Sequence, residues 1–522
     1  TSPLDTAIVF GHGRFQRLVM VCATLSIFVS LSHSLGIMVL ARPVDHWCKP
    51  PHHLADTPAE VWMNQSVPVE ADGSYSRCTR YEPPRESGNL TGNRFVVFCE
   101  AWDYNLTNGG ESIVSQWNLV CSRRWLLTLQ PVAYLGGTWA ACVMGYLGDS
   151  IGRRPVFLVA LLVLLASGTA TVFAYTVAMF TTLRAITSAS SLTVMTVSSV
   201  LLFEVTKTTH RVVFSAFAAC FSSAMLPPFN LLLKAVAQHW IVAQAMLMIP
   251  TSFLLLAVYA MKESPCWLLA KCDYEGTERV VLSAAKINGI PLTDVKAKMK
   301  KIRHALLRRG CVKTDAKRSS ALDLVLNAFL RGRAITIFGS WFLMLFFFYD
   351  TFLSETLAHN TSARMTYVLV RIPVPIAFMF VLHHISRRRV LFLTMVQMSV
   401  LLGFQAWLVH QKDESVVILA TVILGGIVVD TMVMTAFVYT LEIFPTVQRG
   451  LGLSLSLAIG RLGGMFTPLI KGPDPWINRA IGLAVGAVAL TLMGLAVLLL
   501  PETTEVTATN TIREAELEDK WR

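Results

Sequence analysis

The chain has little charge for its length. Asp, Glu, Lys and Arg make up 15% of its 522 residues, whereas soluble proteins carry about 25%. The sequence also lacks the G-x-x-x-x-G-K-[ST] motif that holds ATP phosphates, and no His, Cys, Asp and Glu residues have the spacing of a metal site or of a nucleophile with its base. We therefore expect neither an ATP-driven mechanism nor an enzyme, and no cofactor.

Long apolar runs dominate the sequence instead. Hydrophobic residues make up 54% of the chain, and about 20 apolar residues cross a bilayer as a helix. Roughly twelve runs meet this criterion, with centres near residues 27, 137, 165, 190, 223, 251, 344, 373, 398, 427, 458 and 488. The sequence therefore predicts an all-α polytopic membrane protein.

The runs divide the chain into segments. The predicted order is a cytoplasmic N-terminus (1–14), helix 1 (15–40), an extracellular loop (41–125), helices 2–6 (126–261), a cytoplasmic linker (262–333), helices 7–12 (334–500) and a cytoplasmic tail (501–522). The first run is interpreted as an uncleaved signal anchor.

Positive charge lies on one side of the predicted helices. Arg153–Arg154, Lys207–Arg211 and Arg387–Arg389 fall in short loops on that side, whereas the short loops on the other side have little Lys or Arg. Cytoplasmic loops collect Lys and Arg, so this side and both termini are predicted to be cytoplasmic. Topology thus explains the net charge of +12, and no nucleic-acid partner is expected.

The two large non-membrane segments differ in character. The loop 41–125 contains the four cysteines Cys48, Cys78, Cys99 and Cys121 and sequons at Asn64, Asn89 and Asn105, a combination typical of an oxidised, glycosylated extracellular segment. The linker 262–333 has basic amphipathic helical patterns, which favour helices at the inner membrane surface in contact with anionic lipid. A regulatory or partner-binding role is the alternative for the linker.

The chain contains a weak internal repeat. The sequence from Asp149 to Arg154 aligns with 383–388, and Glu204 and Arg211 have the same seven-residue spacing as Glu442 and Arg449. Many transporters are built from two such halves, with the substrate near the midplane between them.

Asp and Arg at the ends of helices can pair with each other, with helix termini and with these glutamates. We therefore predict a network that latches the two halves on the cytoplasmic side and opens during function. Its alternative is a set of topology signals. The candidate residues are Gly145, Asp149, Gly152, Arg153, Arg154, Glu204, Arg211, Glu263, Arg387, Arg388, Glu442 and Arg449.

Several motifs resemble those of a known family. GYLGDSIGRRP (145–155) is similar to the conserved loop of the major facilitator superfamily. SQWNLVCSRRW (115–125), KESPCWLLAKC (262–272), AAKINGI (284–290), YTLEIFPTVQRGLG (439–452) and FGHGRFQR (10–17) resemble its organic-ion transporters, solute carrier family 22. The departures are Ser150, Cys266 and His383, where that family carries a base, an Arg and an acid.

The resemblance implies a major facilitator fold of twelve helices in two six-helix bundles, with alternating access for small organic ions. It also implies the disulfides Cys48–Cys99 and Cys78–Cys121. At the position of Arg461, the anion transporters of the family carry Arg and its cation transporters carry Asp. Arg371 stands where many members have an acid.

Charges inside membrane spans are costly and are candidates for function. Arg461 and Arg371 are predicted to contact an anionic substrate, and the alternative is an internal ion pair with Asp430. Phe348 and Tyr349 match the paired aromatic residues of the family pocket. The further candidates are Trp341 in the same aromatic helix, Asp350 where the family has Gly, His33 as an anion donor or proton site, and Asp430 as a proton or cation site.

The sequence thus predicts a plasma-membrane secondary transporter of small organic anions, working as an exchanger or facilitator. Its partners would be the anion, a counter-ion or exchanged dicarboxylate, and membrane lipid. Two alternatives stay open: an organic cation or zwitterion transporter that uses Asp350 and Asp430, and a transport-poor receptor or scaffold that acts through its extracellular loop.

Overall fold

A computed structural model describes residues 9–55, 57–70, 73–82, 95–107, 110–308, 323–352, 369–370, 373–411, 416–466 and 475–503. Asn89 and Arg371, and the side chains of Tyr349 and Asp350, lie outside the described residues.

The first half of the chain forms six long helices, which we call spans 1–6. Each coincides with one of the predicted apolar runs, since a helix satisfies every backbone hydrogen bond within one segment. Their bounds are Arg14–Leu35, extended by Ile37–Leu40, then Trp125–Ile151, Arg153–Ala170, Val177–Val205, Thr208–Val236 and Trp240–Ala260.

The second half forms spans 7–12. Their bounds are Ala328–Phe352, Pro373–His384, Arg387–His410, Val416–Ile443, Arg449–Phe466 and Pro475–Val497. Within the described residues, ten helices are long and apolar enough to cross a membrane, and spans 8 and 11 complete the two sets of six. The predicted all-α polytopic architecture is confirmed.

The two halves meet along pairs of spans. Span 2 packs against span 11, span 5 packs against spans 8 and 10, and span 4 contacts span 11. Gly145 of span 2 lies against the Gly450 carbonyl and the Ser454 side chain of span 11, so a Cβ at Gly145 would clash there. The missing side chain allows the backbones of the two halves to approach closely.

The segment between spans 1 and 2, which we call the outer loop, contains the only strands of the described residues. Strands β1 (His46–Cys48) and β4 (Trp102–Tyr104) pair antiparallel, as do β2 (Thr79–Glu82) and β3 (Phe95–Phe98). Its helical turns are His52–Leu54, Ala59–Ser66, Ile113–Gln116 and Cys121–Arg123.

Two disulfides hold the outer loop together. Cys48 is joined to Cys99 and Cys78 to Cys121, with Cα–Cα distances of 5.6 and 5.5 Å. These are the pairings that the family resemblance implies. Cys48 is fully buried and Cys99 nearly so, so this bridge lies in the small core beneath the two sheets.

The linker between the halves is helical at Pro265–Ala270, Tyr274–Asn288, Leu292–Arg308 and Asp323–Leu326. Val281, Ala285, Val295 and Met299 on its apolar faces are fully buried in the main hydrophobic core. Packing within the protein therefore accounts for the amphipathic pattern that the sequence led us to assign to contact with lipid. The Lys-rich face of Leu292–Arg308 is exposed.

Two of the predicted glycosylation sites lie on described parts of the outer loop. Asn64 is exposed and Asn105 is half-buried. We expect Asn64→Gln and Asn105→Gln each to raise electrophoretic mobility by the loss of one glycan, because the predicted topology puts both sequons in the compartment in which glycans are added. Glycosidase treatment should make both variants run level with wild type. Unchanged mobility of the untreated variants would contradict the prediction.

Candidate functional site

A cavity of about 460 Å³ lies between the halves at the end of the bundle that carries the outer loop. Spans 1, 2, 4 and 11 line it, mostly with apolar residues such as Leu35, Met38 and Leu135. Its charged lining residues are Arg184 of span 4 and Arg461 of span 11, and no carboxylate lies among the lining residues that the structure describes.

Arg461 crosses from the second half to the first. Its Nη1 donates to Thr138 Oγ1 of span 2 at 3.1 Å, and its guanidinium lies over the Tyr134 ring, 5.2 Å from the ring centre. The described residues contain no ion pair between Arg461 and Asp430. Arg461 therefore keeps donor groups for a bound molecule.

Arg184 approaches the same ring from within the first half. Its guanidinium lies 5.1 Å from the centre of the Tyr134 ring, and its Nη2 donates to the His33 carbonyl at 2.8 Å. Arg184 is 2% exposed, and within the described structure its Nη1 and the Tyr134 hydroxyl have no hydrogen-bond partner. Two cations thus flank one aromatic ring, and unused polar groups remain beside the cavity.

Arg184 is not among the residues predicted from the sequence. The signal was present, because Arg184 is the single charged residue in the run TVAMFTTLRAITSAS, and a charge inside a span is a functional candidate. Tyr134 gave no comparable signal, because aromatic residues are common in apolar helices.

A second set of polar contacts joins the halves at the opposite end of the bundle, which carries the linker. The carboxylate of Glu204 at the end of span 4 accepts through Oε1 from Arg153 at 3.2 Å and from Arg449 at 2.8 Å. All three side chains are at most 1% exposed. Arg449 belongs to the second half, so this carboxylate ties the two halves together.

Asp149 adds a contact of a different kind. Its carboxylate accepts from the Arg153 guanidinium at 3.1 Å and from the backbone N–H groups of Gly450 and Leu451 at 3.2 and 2.9 Å. These N–H groups are in the first turn of span 11, where unpaired donors and the helix dipole favour an anion. The first half thereby caps a helix of the second.

Glu263 caps span 3 in a similar way. Its carboxylate accepts from the backbone N–H groups of Arg153 and Arg154 at 2.8 and 3.2 Å. Gly152 makes this approach possible, because its φ is +130° and a Cβ there would lie 2.7 Å from Glu263 Oε2. Gly152, one of the candidate residues of the network, is thus required by a specific contact with Glu263.

The repeat of these contacts in the second half is looser. Arg387 lies 3.6 Å from Glu442, and Arg388 lies 3.8 Å from Glu502. Arg211 does not join Glu204. Its Nε donates to the carbonyls of Phe203 and Thr206 at 2.9 and 3.2 Å.

The chain matches a family model described as "Sugar (and other) transporter" over residues 87–514. The chain belongs to this family. It is 28% identical to mouse solute carrier family 22 member 7, over 97% of this chain and 96% of that protein. It is 25% identical to Xenopus laevis solute carrier family 22 member 6-B, over 98% and 94%.

Solved structures give the fold. A proton:xylose symporter, XylE bound to 6-bromo-6-deoxy-D-glucose, matches with a TM-score of 0.66 at 16% identity, over 97% of this chain and 99% of that chain. The human organic anion transporter MFSD10 (TETRAN) matches with a TM-score of 0.50 at 14% identity, over 93% and 98%. The chain therefore has the major facilitator fold. Its membership of the transporter family makes it a membrane transporter and not an enzyme.

The structure brings only some of the predicted substrate residues to the cavity. Arg461 lines it. Trp341 is buried in the second half, where its indole N–H donates to Thr440 at 3.0 Å, and Phe348 packs beside the main core. His33 is buried inside the first half and hydrogen-bonds to Thr251.

Asp430 lies at the contact between spans 5 and 10. It lies near Cys220 of span 5, and the Cys220 thiol contacts the sulfur of Met434, one turn further along span 10. Asp430 is therefore buried at the interface of the halves and is not among the lining residues of the cavity.

Replacing Glu204 by Gln tests the network at the linker end. The change leaves Arg153 and Arg449 buried without their shared counter-charge, and breaking such a buried pair costs about 3–5 kcal/mol. We expect a clear fall in the thermal stability of the purified protein, measured by tryptophan fluorescence in detergent.

The matched control for this test is Glu275→Gln on the exposed side of the linker. Glu275 is a solvent-exposed carboxylate, so its loss should change stability by less than about 1 kcal/mol. Equal stability of Glu204→Gln and Glu275→Gln would show that the buried bridge contributes nothing.

Proposed function

We propose that this protein is a secondary transporter that moves small organic anions across the plasma membrane by alternating access. The observation that carries the proposal is the pair of guanidinium groups, Arg184 and Arg461, on either side of Tyr134 in a cavity whose described lining has no carboxylate. Burial without a counter-charge is unfavourable for a cation, and a bound anion removes that cost.

The chemistry of the lining indicates the class of anion. Guanidinium groups present planar pairs of N–H donors that match carboxylates, sulfates and sulfonates. The Tyr134 ring and the surrounding apolar side chains favour an organic body over a small inorganic ion. The family resemblance at Arg461 supports the same charge preference.

Transport requires the contacts at the linker end to open. Glu204, Asp149 and their partners hold the halves together there while the cavity lies toward the outer loop. Each hydrogen bond to a charged group contributes about 1.5–3 kcal/mol, so the closed arrangement is stable until differential binding in another state offsets it. In this proposal Asp149, Arg153, Glu204 and Arg449 form a reversible latch, and Arg387, Arg388 and Glu442 form its weaker counterpart in the second half. Arg211 takes no part in the bridge between the halves.

Topology and coupling complete the proposal. The distribution of Lys and Arg supports a cytoplasmic position for the linker and both termini, and the disulfides support an extracellular position for the outer loop. The carrier works as a facilitator or as an exchanger, and a dicarboxylate leaving the cell is a suitable exchange partner because it carries the charge that the cavity selects.

The structure gives less support to the two alternative functions, a cation or zwitterion carrier and a transport-poor receptor. A cation or zwitterion carrier that uses Asp350 and Asp430 needs an acid in its cavity. Asp430 is not among the lining residues, and the side chain of Asp350 lies outside the described residues. A transport-poor receptor would be expected if the departures from the family motifs disabled the latch. Cys266 instead fits beside Glu204, donating to its backbone carbonyl at 3.3 Å, and the bridge from Glu204 to Arg153 and Arg449 is formed.

Uptake measurements test the proposal. Cells expressing the protein would be given a labelled panel containing benzenesulfonate, benzoate, succinate and tetraethylammonium. We expect saturable uptake of the aromatic anions, and a KM increase of about 10- to 150-fold in Arg461→Ala and in Arg184→Ala, because each loses a charge-assisted hydrogen bond worth about 1.5–3 kcal/mol.

Arg279→Ala is the matched control, because Arg279 is exposed on the linker far from the cavity. Surface expression would be measured for every variant. Uptake of tetraethylammonium that survives Arg461→Ala would contradict the anion preference, and the absence of any saturable uptake at normal surface expression would overturn the transporter proposal. Faster uptake of a labelled anion into cells preloaded with succinate would show that the carrier exchanges the anion for the dicarboxylate.

The proposed topology has a separate test. Epitope tags placed before residue 9 and after residue 503 should bind antibody only after the plasma membrane is permeabilised, because both termini are placed in the cytoplasm. A tag in the outer loop is the control and should bind in intact cells. Labelling of either terminus in intact cells would contradict the assignment.

A further inference from the structure

His33 occupies an unusual position in span 1. It is fully buried, although the next residue, Ser34, lines the cavity. Its ring points away from the cavity into the first half, where Nε2 is 3.0 Å from Thr251 Oγ1 of span 6. The imidazole therefore lies one helix position behind the proposed anion site and out of direct contact with solvent.

The hydrogen bonds around Thr251 determine which ring nitrogen carries the proton. A hydroxyl has one hydrogen to donate, and that of Thr251 donates to the Leu247 carbonyl at 2.9 Å. Thr251 Oγ1 must then accept from His33, so the neutral ring has its hydrogen on Nε2. Nδ1 consequently has a free lone pair, and it has no partner within the described structure.

Arg184 is the charged group that acts on this ring. It comes from span 4 and donates to the backbone carbonyl of His33 itself at 2.8 Å. Gly168 of span 3 and Thr251 of span 6, which also lie near the ring, are uncharged. Span 5 packs against span 1 as well, and the lysine of its last turn, Lys234, is exposed. No carboxylate faces the imidazole among the described residues. A proton on Nδ1 would therefore place two buried cations side by side.

The electrostatic effect of Arg184 on His33 depends on whether an anion is bound in the cavity. With the cavity empty, its positive charge opposes protonation of the imidazole. An anion bound to Arg184 and Arg461 offsets that charge, so protonation of His33 becomes less unfavourable. Since the coupling is reciprocal, a proton on His33 strengthens anion binding by the same factor.

We propose that Nδ1 of His33 is a proton site that loads together with the anion, so that the protein co-transports one proton with each organic anion. The proposal rests on the anion transport inferred above and replaces the uncoupled facilitation or exchange considered there by proton-coupled movement of the anion. A solvent proton adds to the Nδ1 lone pair while the cavity is open to one side, and it leaves when the anion is released on the other. When the anion is monovalent, the proton cancels its charge. The loaded carrier and the empty carrier then have the same net charge.

The sign of the pH dependence follows from the coupling. Lower pH on the uptake side increases the fraction of carriers with protonated His33 and therefore lowers the KM for the anion. One linked proton changes KM by at most tenfold per pH unit. Benzenesulfonate is the appropriate probe, because its sulfonate remains ionised between pH 5.5 and pH 7.5 and its own charge does not change.

The test combines uptake and proton movement. We expect the KM of benzenesulfonate in wild type to fall several-fold from pH 7.5 to pH 5.5, and addition of the probe to acidify the cytoplasm, as read by a fluorescent pH indicator. His33→Gln keeps an amide N–H that can donate to Thr251 but has no group that takes up a proton in this range. It should transport benzenesulfonate with a flat pH profile and no acidification.

Thr251→Val is the control for damage to the packing. It removes the hydrogen-bond partner of Nε2 but retains the imidazole. We therefore expect slower uptake of benzenesulfonate, with a KM that still falls as the pH is lowered. If His33→Gln proves unstable, the shorter His33→Asn replaces it, because its amide also has no group that takes up a proton in this range.

The outcomes separate the two proposals. Saturable uptake in wild type with a flat pH profile, or with the same pH profile in His33→Gln, would overturn the proton site and leave anion transport standing. Uptake with no acidification would likewise exclude co-transport. Absence of saturable uptake of every anion in the panel would overturn anion transport, and the proton site with it.

Discussion

The carboxylate of Glu204, shared by Arg153 of its own half and Arg449 of the other, is the interaction on which the rest of the arrangement depends. A charge that is at most 1% exposed cannot be left without a partner. The two halves must therefore stay in contact at the linker end as long as the three groups remain buried. With that end closed, the space between the halves lies at the end that carries the outer loop, where the cavity is found.

The internal repeat does not produce equal contacts in the two halves. Asp149 caps the first turn of span 11 through two backbone N–H groups, whereas the aligned position in the second half is His383. The bridge from Arg387 to Glu442 is longer than those at Glu204. Closure of the linker end is thus concentrated on the contacts that spans 2 and 4 make with span 11. Gly145 of span 2 permits the close approach.

The cavity and the buried histidine form one electrostatic unit. Arg184 contacts the Tyr134 ring on one side and the His33 carbonyl on the other. A charge bound in the cavity therefore changes the electrostatic potential at the imidazole. Arg461 adds a second cation from the opposite half. An anion that binds between them contacts both halves at once, and this is the property that a molecule needs if its binding is to change how the halves are arranged.

Sequence alone determined the features that depend on local chemistry. Twelve apolar runs, the charge asymmetry of the loops and the glycines of the loop around Asp149 indicated the polytopic fold and the predicted network, because hydrophobic length and buried charge constrain every chain in a bilayer. The tertiary structure decided which side chains lie in contact with one another. It brought Arg184 and Tyr134 to Arg461, placed Trp341 and Asp430 in packing contacts, and paired Glu204 with Arg449 instead of Arg211. Residues separated by more than 200 positions meet only through helix packing, and no local pattern encodes which side of a helix will face its neighbour.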